Sequence, residues 1–149
     1  MGLLSWLFGR RPSGFDSFLH MEPSDDPRDY VVGESHRQDA LERLAGPKAD
    51  VSVELPCKAV FTPEPSNPHD PNAVRVTIDG QNVGYLPRDR TAKFHSAMKQ
   101  NGTVGAVAEA LVVGGWDRDD GAGGRDTGTF GVKVFAKWPP RGIVRPSDE

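Results

Sequence analysis

The chain has 149 residues, enough for one domain with flanking segments, and 36% of them are apolar, enough for a modest core. Lys and Arg number 18 against 21 Asp and Glu, a formal charge of −3, so any nucleic-acid contact has to come from a local basic face rather than from bulk charge. The single cysteine, Cys57, excludes an intramolecular disulfide and a paired-cysteine zinc site, and fits a reducing, cytoplasmic setting.

Taken in chain order, Met1 to Arg11 opens with a short apolar stretch followed by arginines. It is too short and wrongly ordered for a secretory signal. Residues 3–8 could at most touch a membrane surface or a partner, and no run is long enough to span a bilayer. Residues 1–28 read as a tail, because Pro12 to Arg28 is rich in Ser, Asp and Pro without periodicity. The folded part is expected over 29–138, with 139–149 as a second tail.

Tyr30-Val31-Val32-Gly33 reads as a short strand. His36 to Ala45 reads as a helix with Ser35 as N-cap and Gly46-Pro47 as its stop. Ala49 to Thr62 alternates apolar residues around Pro56, as a long bent strand does. Pro63 to Asn72 holds four prolines and two asparagines in ten residues, which makes it a rigid loop. Val74, Val76 and Ile78 alternate with Arg75 and Thr77, then Asp79-Gly80 turns the chain into Asn82 to Leu86 as a hairpin. Arg88 to Gln100 is a second helix carrying Phe94, Ala97 and Met98, stopped by Asn101-Gly102. Val104 to Val113 is a strand, Gly114 to Gly128 a glycine- and aspartate-rich loop, and Phe130 to Trp138 a strictly alternating last strand. The expectation is a mainly β fold with two short helices: a small β-barrel of about six strands, with an open sandwich as the alternative.

Three blocks stand in order: Val31-Val32-Gly33-Glu34-Ser35-His36; Glu64-Pro65-Ser66-Asn67-Pro68-His69-Asp70-Pro71-Asn72-Ala73; and Asn82-Val83-Gly84-Tyr85-Leu86. Together they resemble the HIRAN domain family, found in helicase-like DNA translocases and as free-standing bacterial proteins. The resemblance implies a modified OB-like barrel that binds single-stranded DNA at a free 3′ end, in repair or replication-fork processing. It implies that Asp70 holds the terminal hydroxyl, that Asn67 is the polar residue before the proline, and that Arg88 contacts phosphate. His69 and Tyr85 are rings where relatives carry Tyr and His. The family's Arg-Tyr pair falls on Ser35 and His36.

The residue types suit that task. A sequence-tolerant binder of single strands needs flat rings for bases and cations for phosphates. His36, His69 and Tyr85 are the candidate rings; Arg37, Arg88, Arg90 and Lys93 are the candidate cations. An ionised Asp70 accepts a hydroxyl proton and repels a phosphate at the same place. Each has a bland counterpart: Asp70 and Asn72 cap turns, Gly84 serves strand packing, Phe130 lies in the core and His95 is a surface residue.

No Walker-type phosphate loop, metal-ligand spacing or nucleophile–base spacing occurs, so neither a cofactor nor enzyme activity is expected. Asp117 to Gly121 lacks the closing Glu of a calcium loop. The alternative function is a protein-interaction adaptor that keeps the fold without DNA binding, with a helicase or nuclease as partner.

Overall fold

The computed structural model describes residues 16–146, so the expectation for residues 3–8 lies outside the described residues. The molecule is mainly β, with ten strands and two α-helices among the described residues. Strand β6 (Gly105–Gly114) is its spine. One edge of β6 pairs antiparallel with β3 (Val53–Pro63) from Gly114 back to Ala106. The other edge is shared. Its first residues lie parallel to β1 (Ser17–Met21), and Glu109 to Gly114 lie antiparallel to β9 (Phe130–Ala136). β4 (Val74–Ile78) and β5 (Gln81–Tyr85) extend the sheet beyond β3. β2 (Pro23–Arg28) pairs with β9, and β10 (Gly142–Pro146) pairs with β1. A small hairpin of β7 (Asp117–Asp119) and β8 (Arg125–Thr127) stands apart.

The alternation read from sequence sets the core. Val74, Val76 and Ile78 point inward from β4, Val132 and Val134 from β9, and Phe61 from β3, all essentially without solvent exposure. Helix α2 (Thr91–Asn101) lays Phe94, Ala97 and Met98 on them, with the Phe94 ring 6.1 Å from that of Phe61. Its C-terminus stops at Gly102 in the left-handed conformation, as the Asn-Gly pair requires. Helix α1 (Gln38–Ala45) contributes Ala40 and Leu41. Among the described residues no helix is long and apolar enough to cross a membrane.

Three expectations change. Strands β1 and β2 lie in the segment read as a tail, and β10 lies in the other. β2 and β10 bury no face, so their register comes from backbone hydrogen bonds and leaves no period-two signal. Ser35 is no N-cap: it sits inside a 3-10 turn (Glu34–His36) entered through left-handed Gly33, and α1 begins only at Gln38. The strand ladders do not close into a six-stranded barrel. The strip after β2 meets β5 at one isolated bridge, where Val32 N–H donates to Tyr85 O at 2.7 Å and Tyr85 N–H to Val32 O at 2.9 Å. The 3-10 turn beginning one residue past Gly33 lifts the chain off before a ladder can form.

That bridge draws the first sequence block against the third. It also explains Gly84. A Cβ there would stand 2.5 Å from Val32 O and 2.7 Å from Val31 Cγ1, so only glycine lets the two strips touch.

Candidate nucleic-acid interface

The proline-rich loop is organised by its polar side chains. Asn67 Oδ1 accepts from the N–H groups of His69 (2.8 Å) and Asp70 (3.1 Å), and Asp70 Oδ1 accepts from Asn72 N–H at 2.9 Å. These Asx turns, with prolines fixing φ between them, hold the loop that joins β3 to β4 in one shape. Ala73 N–H donates to Asp70 O and Glu64 N–H to Ala73 O, closing the loop at its base. A nitrogen of the His95 ring lies 2.9 Å from Asn72 O, tying α2 to the loop.

Glu64 joins the loop to β5. Its Oε1 accepts from Asn67 Nδ2 (3.0 Å) and from the Tyr85 hydroxyl (2.9 Å), and its Oε2 receives Arg75 at 2.8 Å. Burial acts against the charged form and is the largest single influence. The hydrogen bonds from Asn67, Tyr85 and Arg75, with the Arg75 charge, outweigh it and hold the carboxyl below its ordinary value. The Tyr85 hydroxyl moves the other way: burial first, then its bond to the Glu64 carboxylate, raise its pKa, and the phenol stays neutral. The hydroxyl is thus anchored while the ring lines a cleft.

That cleft has a volume of about 360 Å³ and is lined by Arg37, Asn67, His69, Asp70, Tyr85 and Arg88, with Val32, Ala73, Leu86 and Thr91 completing its walls. Six of the ten candidate residues singled out in sequence therefore meet at one place. The bridge at Val32 brings the 3-10 turn, and with it Arg37, to the loop and β5. The Asp70 side chain is 23% exposed, and its Oδ2 lies 3.7 Å from Nε of Arg88, which is itself 82% exposed. The contact is loose and leaves the Arg88 guanidinium turned to solvent. Both Arg37 and Arg88 can meet phosphate here; Arg37 pairs with no carboxylate among the described residues.

Three predicted residues fall elsewhere. Ser35 lines a separate groove with Glu34, Trp116 and Phe130. His36 lines a hollow on the flank of α1. Lys93 is exposed on α2 and does not line the cleft. The reason is common to the first two: the 3-10 turn advances about 120° per residue, so neighbouring side chains diverge and only Arg37 faces the cleft. Arg90 is also withdrawn, since its guanidinium sits 4.7 Å from the centre of the Tyr30 ring and 5.8 Å from that of Trp138.

Sequence reasoning passed over Glu64, the residue that links ring and loop. Its signal was present: an acidic residue at the end of a strand, three positions before Asn67, facing Arg75 on the neighbouring strand. Asn82 was also missed. Its Oδ1 accepts from Gly84 N–H at 3.0 Å and shapes the approach to Tyr85. Asp119 and Asp120, in the loop weighed for calcium, cap their own turn through Gly121, Ala122 and Gly124 N–H groups.

The HIRAN domain family model matches residues 47–115, the stretch holding β3 to β6, α2, the proline-rich loop and Tyr85. The chain carries a HIRAN domain. HIRAN domains are generally DNA-binding, and the cleft lies largely within the matched span. Val32 and Arg37 come from outside that span, so the HIRAN stretch completes its cleft with a segment contributed by the preceding chain. No curated protein and no solved structure gives a significant match.

Proposed function

We propose that this HIRAN protein binds single-stranded DNA and reads an unblocked 3′ end in the cleft between the proline-rich loop, β5 and the 3-10 turn. The observation that carries the reading is that one carboxylate, Asp70, lines the same cleft as the anchored Tyr85 ring and the arginines Arg37 and Arg88, the last 3.7 Å from it. The ring offers a face to a base and the arginines offer charge to phosphates. The carboxylate discriminates. It accepts a hydrogen bond from a terminal hydroxyl, whereas a phosphate placed there meets a like charge. At about 4 Å such a repulsion costs about 1 kcal/mol in water and about 4 kcal/mol at a protein surface. The curled sheet, drawn together at Val32 and Tyr85, serves as the OB-like platform that such a strand would cross. The cellular setting that fits is the processing of DNA ends in repair or at replication forks.

An NMR titration with a short oligonucleotide tests the reading. Amide shifts at residues 67–72, Tyr85 and Arg37 are expected. Amides there that stay put while a protein partner shifts others would favour the adaptor reading instead.

A further inference from the structure

Arg37 lines two cavities. One is the cleft; the other is a polar hollow of about 260 Å³ on the flank of α1, bounded by His36, Asp39, Arg43, Gln81 and Asn82. The two share Arg37 as a wall. Arg43 is exposed, and its Nε donates to the neutral Gln81 Oε1 at 3.2 Å. Among the described residues neither Arg37 nor Arg43 pairs with a carboxylate, whereas most of the cations on the β-strands do, as in Arg28–Asp26, Lys58–Glu109, Arg75–Glu64 and Lys133–Asp29. One opposing charge, Asp39, lines the hollow beside Arg37 and Arg43, so the excess there is one positive charge. The amide side chains of Gln81 and Asn82 supply polar groups for a sugar or phosphate oxygen.

We infer that the hollow is a second subsite, for an internal phosphate of the strand whose end occupies the cleft. The strand leaves the cleft past Arg37 and runs along α1 to Arg43. This rests on the proposed binding of single-stranded DNA, and it adds the direction the rest of the strand takes. An arginine held by a neutral amide rather than a carboxylate keeps its full charge for an incoming anion, and a row of such groups tracks a backbone without reading sequence.

Fluorescence anisotropy with a 3′-hydroxyl trinucleotide and a decanucleotide of thymidine tests it. The wild type binds the longer strand more tightly. Arg43→Ala weakens the decanucleotide by about two- to fivefold, the range of one exposed charge contact. It also lowers the slope of log affinity against log salt by about 0.7, the value for one phosphate on a single strand. The trinucleotide is unaffected. Asp39→Asn strengthens the decanucleotide. Arg43 is exposed and its substitution leaves the fold intact; the charge reversal Arg43→Glu weakens the longer strand further. Equal effects of Arg43→Ala on both lengths, or an unchanged salt slope, overturn the second subsite while leaving the cleft reading standing. If neither oligonucleotide binds, both readings fall.

Discussion

Replacing Glu64 with alanine removes one carboxylate and three hydrogen bonds, from Tyr85, Asn67 and Arg75. A hydrogen bond to a charged group contributes about 1.5–3 kcal/mol in isolation. The three share one acceptor group. The Glu64 side chain is 20% exposed and that of Arg75 is 38% exposed, so the ion pair itself counts for no more than about 1 kcal/mol. The Arg75 Nε is already buried without a partner, so losing the carboxylate leaves that guanidinium worse satisfied. The expected loss is about 2–4 kcal/mol for Glu64→Ala and about 1–2 kcal/mol for Glu64→Gln, which keeps an acceptor for Tyr85. Urea unfolding monitored by tryptophan fluorescence measures both. With a slope of about 1–2 kcal/mol per molar, the alanine variant should lose about 1–4 M at the midpoint. The sign with pH follows from the depressed carboxyl. Its contribution is fully present above the ordinary value of 4.5 and is lost as pH falls through the lower folded value, so wild type and Glu64→Gln converge in acid. An alanine variant within about 0.5 kcal/mol of wild type, or a Glu64→Gln difference that grows on acidification, would refute the linking role.

Tyr85→Ala should lower affinity for a single-stranded oligonucleotide by about 5- to 150-fold, the equivalent of about 1–3 kcal/mol of lost stacking. Tyr85→Phe should keep most of the affinity and cost about 0.5–1.5 kcal/mol of stability, as its ring remains and only one hydrogen bond goes. Gly84→Ala should cost about 1–3 kcal/mol and open the bridge to Val32, seen as faster hydrogen exchange at the Tyr85 amide; unchanged exchange would contradict the close approach. Glu34, whose Oε2 accepts from Val132 N–H at 2.7 Å, has its pKa raised chiefly by burial. A raised folded value means its contribution is present below the ordinary 4.5 and lost as pH rises through the folded value, so Glu34→Gln should gain on wild type between acid and neutral pH in thermal unfolding.

The parts of the fold legible in sequence are those whose burial alternates or whose turns need particular residues. β4 and β5 with the Asp79-Gly80 turn, where both residues have positive φ, belong to this group, as do β9 and the buried face of α2. β2 and β10 were illegible, because strands held only by backbone bonds leave no mark on side-chain choice. The site divides in the same way. Asn67, His69, Asp70, Tyr85 and Arg88 come from a loop and a strand whose local geometry their own residues dictate. The first block and the Arg37 that follows it depend on a tertiary bridge and a 3-10 turn, and of the candidates Ser35, His36 and Arg37 only Arg37 reaches the cleft. Glu64 was passed over because its role is relational: its partners lie three, eleven and twenty-one residues away.

The central claim is that Asp70 makes the cleft a reader of an unblocked 3′ end. The most direct measurement is the affinity of wild type and Asp70→Ala for two oligonucleotides that differ only in a 3′-hydroxyl or a 3′-phosphate. The account predicts that wild type prefers the hydroxyl by about tenfold or more, the equivalent of about 1.4 kcal/mol, and that Asp70→Ala erases the preference by weakening the hydroxyl strand and tolerating the phosphate. Equal affinity of wild type for the two ends would contradict it.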